Sequence, residues 1–246
     1  MDHILYTAMS GARQSLDRQG VVSNNLANAS TSGFRAQLHA SRAVPVQGAG
    51  ELPTRISAAE TTPGADFTPG PVNATGRDLD VAMGKDAWLA VQAPDGDEAY
   101  TRRGDLQVDG DGLVNVAGHP VMGDGGPLIV PLGARLFVGA DGTVSAISPG
   151  QDAENLVAMG RLKLVNGAEA KLTRGEDGLF RAEGGNLQQD EAMTVTSGAL
   201  EGSNVSAVET MVAMIDSARR YEMQMKVISS ADENAQRANQ LLSLQG

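Results

Sequence analysis

The sequence contains no cysteine, which excludes thiol catalysis, disulfides and cysteine-type zinc sites. That absence suits either the cytosol or an exported protein that must avoid accidental cross-links. Aromatic residues are scarce: one Trp, three Tyr and four Phe in 246 residues are poor material for stacking nucleobases, sugars or cofactors. Cations are in deficit, with 19 Lys and Arg against 30 Asp and Glu and a formal charge of −11. Such a balance argues against nucleic acid, whose phosphates need clustered Lys and Arg, and against an anionic membrane surface. No stretch approaches the roughly 18 apolar residues of a membrane-spanning helix. The start MDHILYTAMSGARQSL lacks the basic opening and apolar run of a secretory signal. A chain of this kind that leaves the cytoplasm would do so without a cleaved address.

Motifs of catalysis are missing as well. There is no glycine-rich phosphate loop, G-x-S-x-G elbow or H-E-x-x-H. His3, His39 and His119 lie in three different parts of the chain, so a shared metal or catalytic constellation is not expected. The string DGDG at 109–112 departs from a calcium loop because Leu113 and Val114 break its alternation of acids; consecutive hairpin-turn residues explain it better. Asn28-Ala29-Ser30 and Asn204-Val205-Ser206 match a glycosylation sequon but read as helix-boundary chemistry. No enzyme, cofactor or metal is expected.

What is present falls into three textures. Residues 3–28 and 205–242 are free of proline and read as helices. Residues 45–75, with TPGADFTPG at 62–70, read as an extended connector. Residues 79–197 are short β-type runs, among them WLAVQA, RLFV, TVSAI and RLKLV, separated by Asp-Gly at 95–96, 109–110, 111–112, 124–125, 141–142 and 177–178. Asp-Gly tolerates the positive φ of tight hairpin turns. The expected fold is α+β. N- and C-terminal helices pair as a coiled-coil-like assembly domain, with an extended connector and a central antiparallel β domain, sandwich-like or barrel-like. The boundaries drawn are 1–36 for the first helix and its exit turn, 37–77 for the connector, 78–198 for the β domain and 199–246 for the last helix.

The C-terminal helix is the most periodic segment. With Met211 as heptad position a, that column continues through Ala218, Met225, Asp232 and Asn239, while d holds Ala207, Met214, Tyr221, Ile228, Ala235 and Leu242. Asn204 or Ser203 is positioned to cap its start. Residues 205–242 at 1.5 Å each give a rod of roughly 57 Å, longer than a domain this size needs, so the helix is expected to seek partners beyond its own globule. Met211, Met214, Met223 and Met225 read as interface packing rather than a cofactor box. In the N-terminal helix Leu5, Ala8, Ala12, Ser15, Gln19, Val22, Leu26 and Ala29 form a weaker seam of mostly small residues. Two adhesive helices at opposite ends, with a β domain between them, suggest a polymer subunit.

Two long motifs carry a resemblance. SNNLANASTSGFRA (23–36) is similar to the N-terminal signature of bacterial flagellar rod and hook proteins, and LEGSNVSAVETMVAMIDSARRYEMQMKVI (200–228) resembles the C-terminal helix of the same family. MDHILYTAMSGA, TPGADFTPG and TGRDLDVAMGKDAWLAVQAPDGDEAYTRRGDLQVDGDG narrow the likeness to proximal-rod members. One departure is Asp78, where the family commonly has proline. The resemblance implies passage through the flagellar type III export apparatus, and assembly in the periplasm into a basal-body rod that transmits torque. Partners would be copies of the chain and other rod subunits. The seams at both ends make Leu5, Ala8, Ala12, Val22, Leu26, Met211, Met214, Ala218, Tyr221, Met225, Ile228 and Leu242 the expected assembly contacts, with the amides of Asn24, Asn25 and Asn28 bonding adjacent subunits and Gly33 turning the chain out of the helix. Alternatives are a distal rod or hook-type subunit and, from another class, a secreted carbohydrate-binding or hydrolytic β domain.

Overall fold

A computed structural model describes residues 2–45, 56–61, 64–148, 150 and 156–243. The chain divides into two compact units: residues 1–27, 37–64 and 206–246 form one, and residues 28–36 and 65–205 form the other.

The first unit holds helices α1 (Asp2–Ala27) and α2 (Ala207–Ser243), which pack on each other. Part of the expected connector is not a plain linker. Ala40–Pro45 pairs antiparallel with Ile56–Thr61, from Ala40 opposite Thr61 to Pro45 opposite Ile56. Both segments are free of glycine. The start of α2 also differs from expectation. Ser206 Oγ accepts the Glu209 amide at 3.4 Å, so Ser206 and not Asn204 or Ser203 is the cap, in the S-x-x-E pattern.

The second unit is an antiparallel β domain. Its largest sheet runs in the order Leu164–Asn166, Ala87–Gln92, Glu98–Thr101, Phe180–Ala182, Leu172–Arg174. Two three-stranded sheets, Leu106–Val108 with Val114–Val116 and His119–Pro120, and Arg135–Val138 with Thr143–Ile147 and Val157–Arg161, complete most of it. Strand Ala87–Gln92 is apolar as far as Val91 because both of its faces are covered. Leu89 and Val91 enter a core with Leu106, Val116, Val144 and Leu162. Trp88 and Ala90 enter another with Tyr100, Val165 and Phe180. Some strand expectations shift. RLKLV divides between Val157–Arg161 and Leu164–Asn166, with Leu162 buried between them. Residues 128–130 make only an isolated bridge, Ile129 to Leu113. The segment expected to be helical from residue 199 begins as a strand, Ala199–Glu201.

All six Asp-Gly pairs lie in hairpin connections. In four turns the aspartate carboxylate accepts a backbone amide two residues on: Asp95 from Asp97 (3.1 Å), Asp109 from Asp111 (3.0 Å), Asp141 from Thr143 (3.0 Å) and Asp177 from Leu179 (3.1 Å). DGDG is thus a turn, with Asp109 also accepting the Leu113 amide at 2.9 Å. These bonds favour the ionised carboxylate. Asp95 and Asp109 are held below the usual range mainly by backbone amides, Asp141 by the Thr143 hydroxyl and Asp177 by the Arg181 guanidinium. Because the folded values lie below the unfolded value of about 3.9, the stability they contribute is present above about pH 4 and lost as pH falls further. The urea midpoint is expected to hold between pH 7 and 5 and to fall steadily below pH 4. Replacing all four aspartates by asparagine should flatten that decline.

Candidate assembly site

Within the first unit, α1 carries one protected stripe. Ala8, Ala12, Ser15 and Val22 are buried and Leu5, Gln19 and Leu26 half-buried, at alternating spacings of three and four. Small residues bring the helices close. Ser217 is fully buried and donates from Oγ to the Ser15 carbonyl at 2.8 Å, and a Cβ on Gly11 would press on the Gln224 side chain at 3.1 Å. On α2 the protected stripe runs through Ala207, Thr210, Met214, Ser217, Tyr221, Gln224, Ile228 and Ala231, flanked by Ala213, Asp216 and Ala218. The d column of the heptad therefore lies on this face from Ala207 to Ile228. The a column does not: Met211 and Met225 are 52% and 43% exposed, and the small or polar side chains one residue earlier replace them. The inward face selects side chains that permit close approach, which a search for apolar residues overlooks. Of Leu242 only its place in α2 is described.

Larger apolar side chains point away from this seam. Tyr6, Met9 and Leu16 are exposed on α1, and Val208, Met211, Val212, Ile215, Met223, Met225 and Val227 on α2. These are ten of the seventeen exposed large hydrophobic residues among those described, so the outward apolar surface concentrates on the helices.

The asparagines of SNNLAN divide their tasks. Asn25 makes a two-way pair with the backbone of Gln37, accepting its amide at 2.8 Å and donating to its carbonyl at 2.9 Å. Asn28 accepts the Thr31 amide on its carbonyl (3.1 Å) and the Thr31 hydroxyl on its side chain (3.2 Å). Two of the three amides expected at subunit contacts, those of Asn25 and Asn28, are thus engaged within the chain.

In the second unit the rest of that motif meets the other one. The Gly33 amide donates to the Glu201 carbonyl at 2.7 Å and the Asn204 amide to the Phe34 carbonyl at 3.3 Å. The Asn204 side chain accepts the Ala36 amide at 2.7 Å and donates to the carbonyls of Asp66 and Thr68 at 2.9 and 3.0 Å. Gly33 has φ of 65° and a Cβ there would overlap the Arg102 backbone, so it serves a close approach as well as a turn. Beneath lies a charged cluster that sequence reasoning missed. Glu201 pairs with Arg35 at 2.7 Å and with Arg102, whose Nε lies 2.8 Å from its carboxylate, and all three side chains are at most 4% exposed. Arg102 also donates to the carbonyls of Gly84 (2.8 Å) and Ala87 (2.5 Å), and Arg35 to that of Thr68 (2.6 Å). Burial pulls the Arg35 guanidinium below its ordinary value, opposed by Glu201. The signal available was the position of Arg35 and Glu201 inside the two long motifs.

Three family descriptions match the chain. Residues 5–35 match "Flagella basal body rod protein", residues 82–146 "Flagellar hook protein FlgE/F/G D1 domain", and residues 196–241 "Flagellar basal body rod FlgEFG protein C-terminal". The start, middle and end of the chain thus fall in one class, the flagellar rod and hook proteins. Flagellar basal-body rod protein FlgF of Escherichia coli is 56% identical, over 99% of this chain and 100% of that one. FlgF of Salmonella typhimurium is 53% identical over the same shares. A FlgG rod protein of Buchnera aphidicola is 29% identical over 96% of this chain and 98% of its own. The chain belongs to the FlgF family of flagellar basal-body rod proteins, and is a structural subunit of the rod and not an enzyme.

Glu201→Gln is expected to leave two buried guanidiniums without a counter-charge and to cost about 3–5 kcal/mol. The shift in urea midpoint, followed by Trp88 fluorescence, measures it.

Proposed function

We propose that the chain polymerises through α1 and α2, with copies of itself and with other rod subunits, as part of the proximal rod. There it helps form the drive shaft that transmits torque. The observation that carries this reading is the placement of the large exposed apolar side chains on the two helices. The seam between α1 and α2 is a coiled-coil-like contact of small side chains that contributes only about 1 kcal/mol or less per alanine. The larger faces remain for neighbouring subunits. Val208, Met211, Val212 and Ile215 cover the first turns of α2 and form the main candidate contact. Leu5, Ala8, Ala12, Val22, Leu26, Met214, Ala218, Tyr221 and Ile228 act one step back, holding the helix pair that presents it. A heterologous contact that does not close into a ring generates a helical array of the kind a rod requires. On this reading the chain reaches the periplasm through the flagellar type III export apparatus. No helix among the described residues is long and apolar enough to cross a membrane.

Ile215→Asp charges the outward face of α2, within the first unit. It is expected to abolish rod assembly and swimming while leaving the urea midpoint of the Trp88 signal unchanged. Wild-type motility in that variant would overturn the assignment of this face. Ile228→Asp, on the protected stripe, should reduce helix content by circular dichroism as well as assembly.

A further inference from the structure

A pocket of about 160 Å³ lies in the second unit beside the turn of the first motif, with Ser32, Phe34, Arg103, His119, Arg174 and Phe180 on its wall. Arg174 is its unusual member. Its guanidinium is half-buried, 4.3 Å from the Phe34 ring centre and 5.8 Å from that of Phe180, and Nη1 donates to the Arg35 carbonyl at 3.1 Å. No described carboxylate pairs with it. The acid on the wall, Asp177, is held by Arg181 at 2.8 and 3.1 Å, and the acid nearest in sequence, Glu176, is exposed. Burial draws Arg174 below its ordinary value, with no acid opposing it. Arg35, also on the wall, keeps a buried Nε without a hydrogen-bond partner. A half-buried cation beside two rings, with no described counter-ion, is a receptor for a planar anion.

We infer that this pocket is a socket for a single carboxylate, supplied in the assembled state by an aspartate or glutamate side chain of a second copy of the chain. The size suits one carboxymethyl or carboxyethyl group and not a nucleotide or a folded segment. Charge complementarity points to the source. With a net charge of −11 the chain carries far more carboxylates than its own cations can pair, and identical neighbours in a head-to-tail array bring that surplus to one another's unpaired arginine. The identity of the occupant rests on the assembly reading above; the socket itself does not.

Two measurements on the full-length protein separate these parts. Sodium acetate is titrated into the ¹⁵N-labelled monomer against sodium chloride at matched ionic strength. The Arg174 Nε–Hε resonance and the amides of Gly33 and Leu179 are expected to shift saturably with acetate, at least fivefold more than with chloride. A response no different from chloride overturns the socket. In the second measurement, polymer formed by Arg174→Gln is expected to fall at least tenfold at an unchanged urea midpoint, with partial recovery in Arg174→Lys. Should Arg174→Gln lose its fold, the wild-type chain replaces it, and acetate is expected to suppress assembly more than matched chloride. An acetate response with undiminished assembly overturns the second copy as the occupant. A wild-type chain that never polymerises counts against the assembly reading, while the acetate titration still decides the socket.

Discussion

The β unit depends on one buried carboxylate between two guanidiniums. Removing Arg35, Glu201 and Arg102 from water is costly, and their mutual attraction offsets that cost only where every remaining donor finds an acceptor. The carbonyls of Thr68, Gly84 and Ala87 and the Gly70 amide supply most of those partners. Such a cluster gains little over well-packed apolar side chains, yet an incomplete one is heavily penalised. It therefore tolerates one alignment of the segment after α1 with the segment before α2. Gly33, against the Arg102 backbone, and Asn204, between three backbone groups, repeat the same requirement with neutral atoms.

The helical unit follows the opposite logic. Its seam is made of Ala8, Ala12, Ser15, Ser217 and Gln224, which bury little area and hold the helices by proximity. Most of the larger apolar side chains, among them Met211, Val212 and Ile215, are kept for the outside, where a monomer gains nothing from them. One unit is specified by polar pairing around a conventional core, and the other is left with its adhesion unspent. That division suits a subunit whose β unit must be finished alone and whose helices are finished by neighbours.

Much of this could be read from the residues. Proline-free ends gave the helices, and Asp-Gly spacing gave the hairpins, since a tight turn imposes a local backbone demand that few residues meet. The d column of α2 was visible because Met214, Tyr221 and Ile228 are apolar. The a column was misplaced because the inward partners, Thr210, Ser217 and Gln224, are polar, and close approach leaves no hydrophobic period. Ala40–Pro45 and Ile56–Thr61 escaped notice because a two-stranded ladder of small residues has no apolar face to announce it. The charged cluster was hidden for a different reason. Arg35, Arg102 and Glu201 look like ordinary surface residues until three distant segments converge. The three asparagines of the first motif, read as amides for other subunits, proved in two cases to fasten their own chain.

The pairing of Ala36 with Asn204 spans 168 residues of sequence. Loop-closure entropy opposes bringing such remote segments together, and contacts of this range slow folding. Among the described residues, strands Val72–Ala74 and Val81–Met83 find their strand partners in Ala199–Glu201 and Val195–Ser197, so these two strands wait for the late part of the chain. Those two strands, unlike the hairpins between residues 87 and 182, stay unpaired until the last segment of the β unit is in place, so the unit's edge closes last.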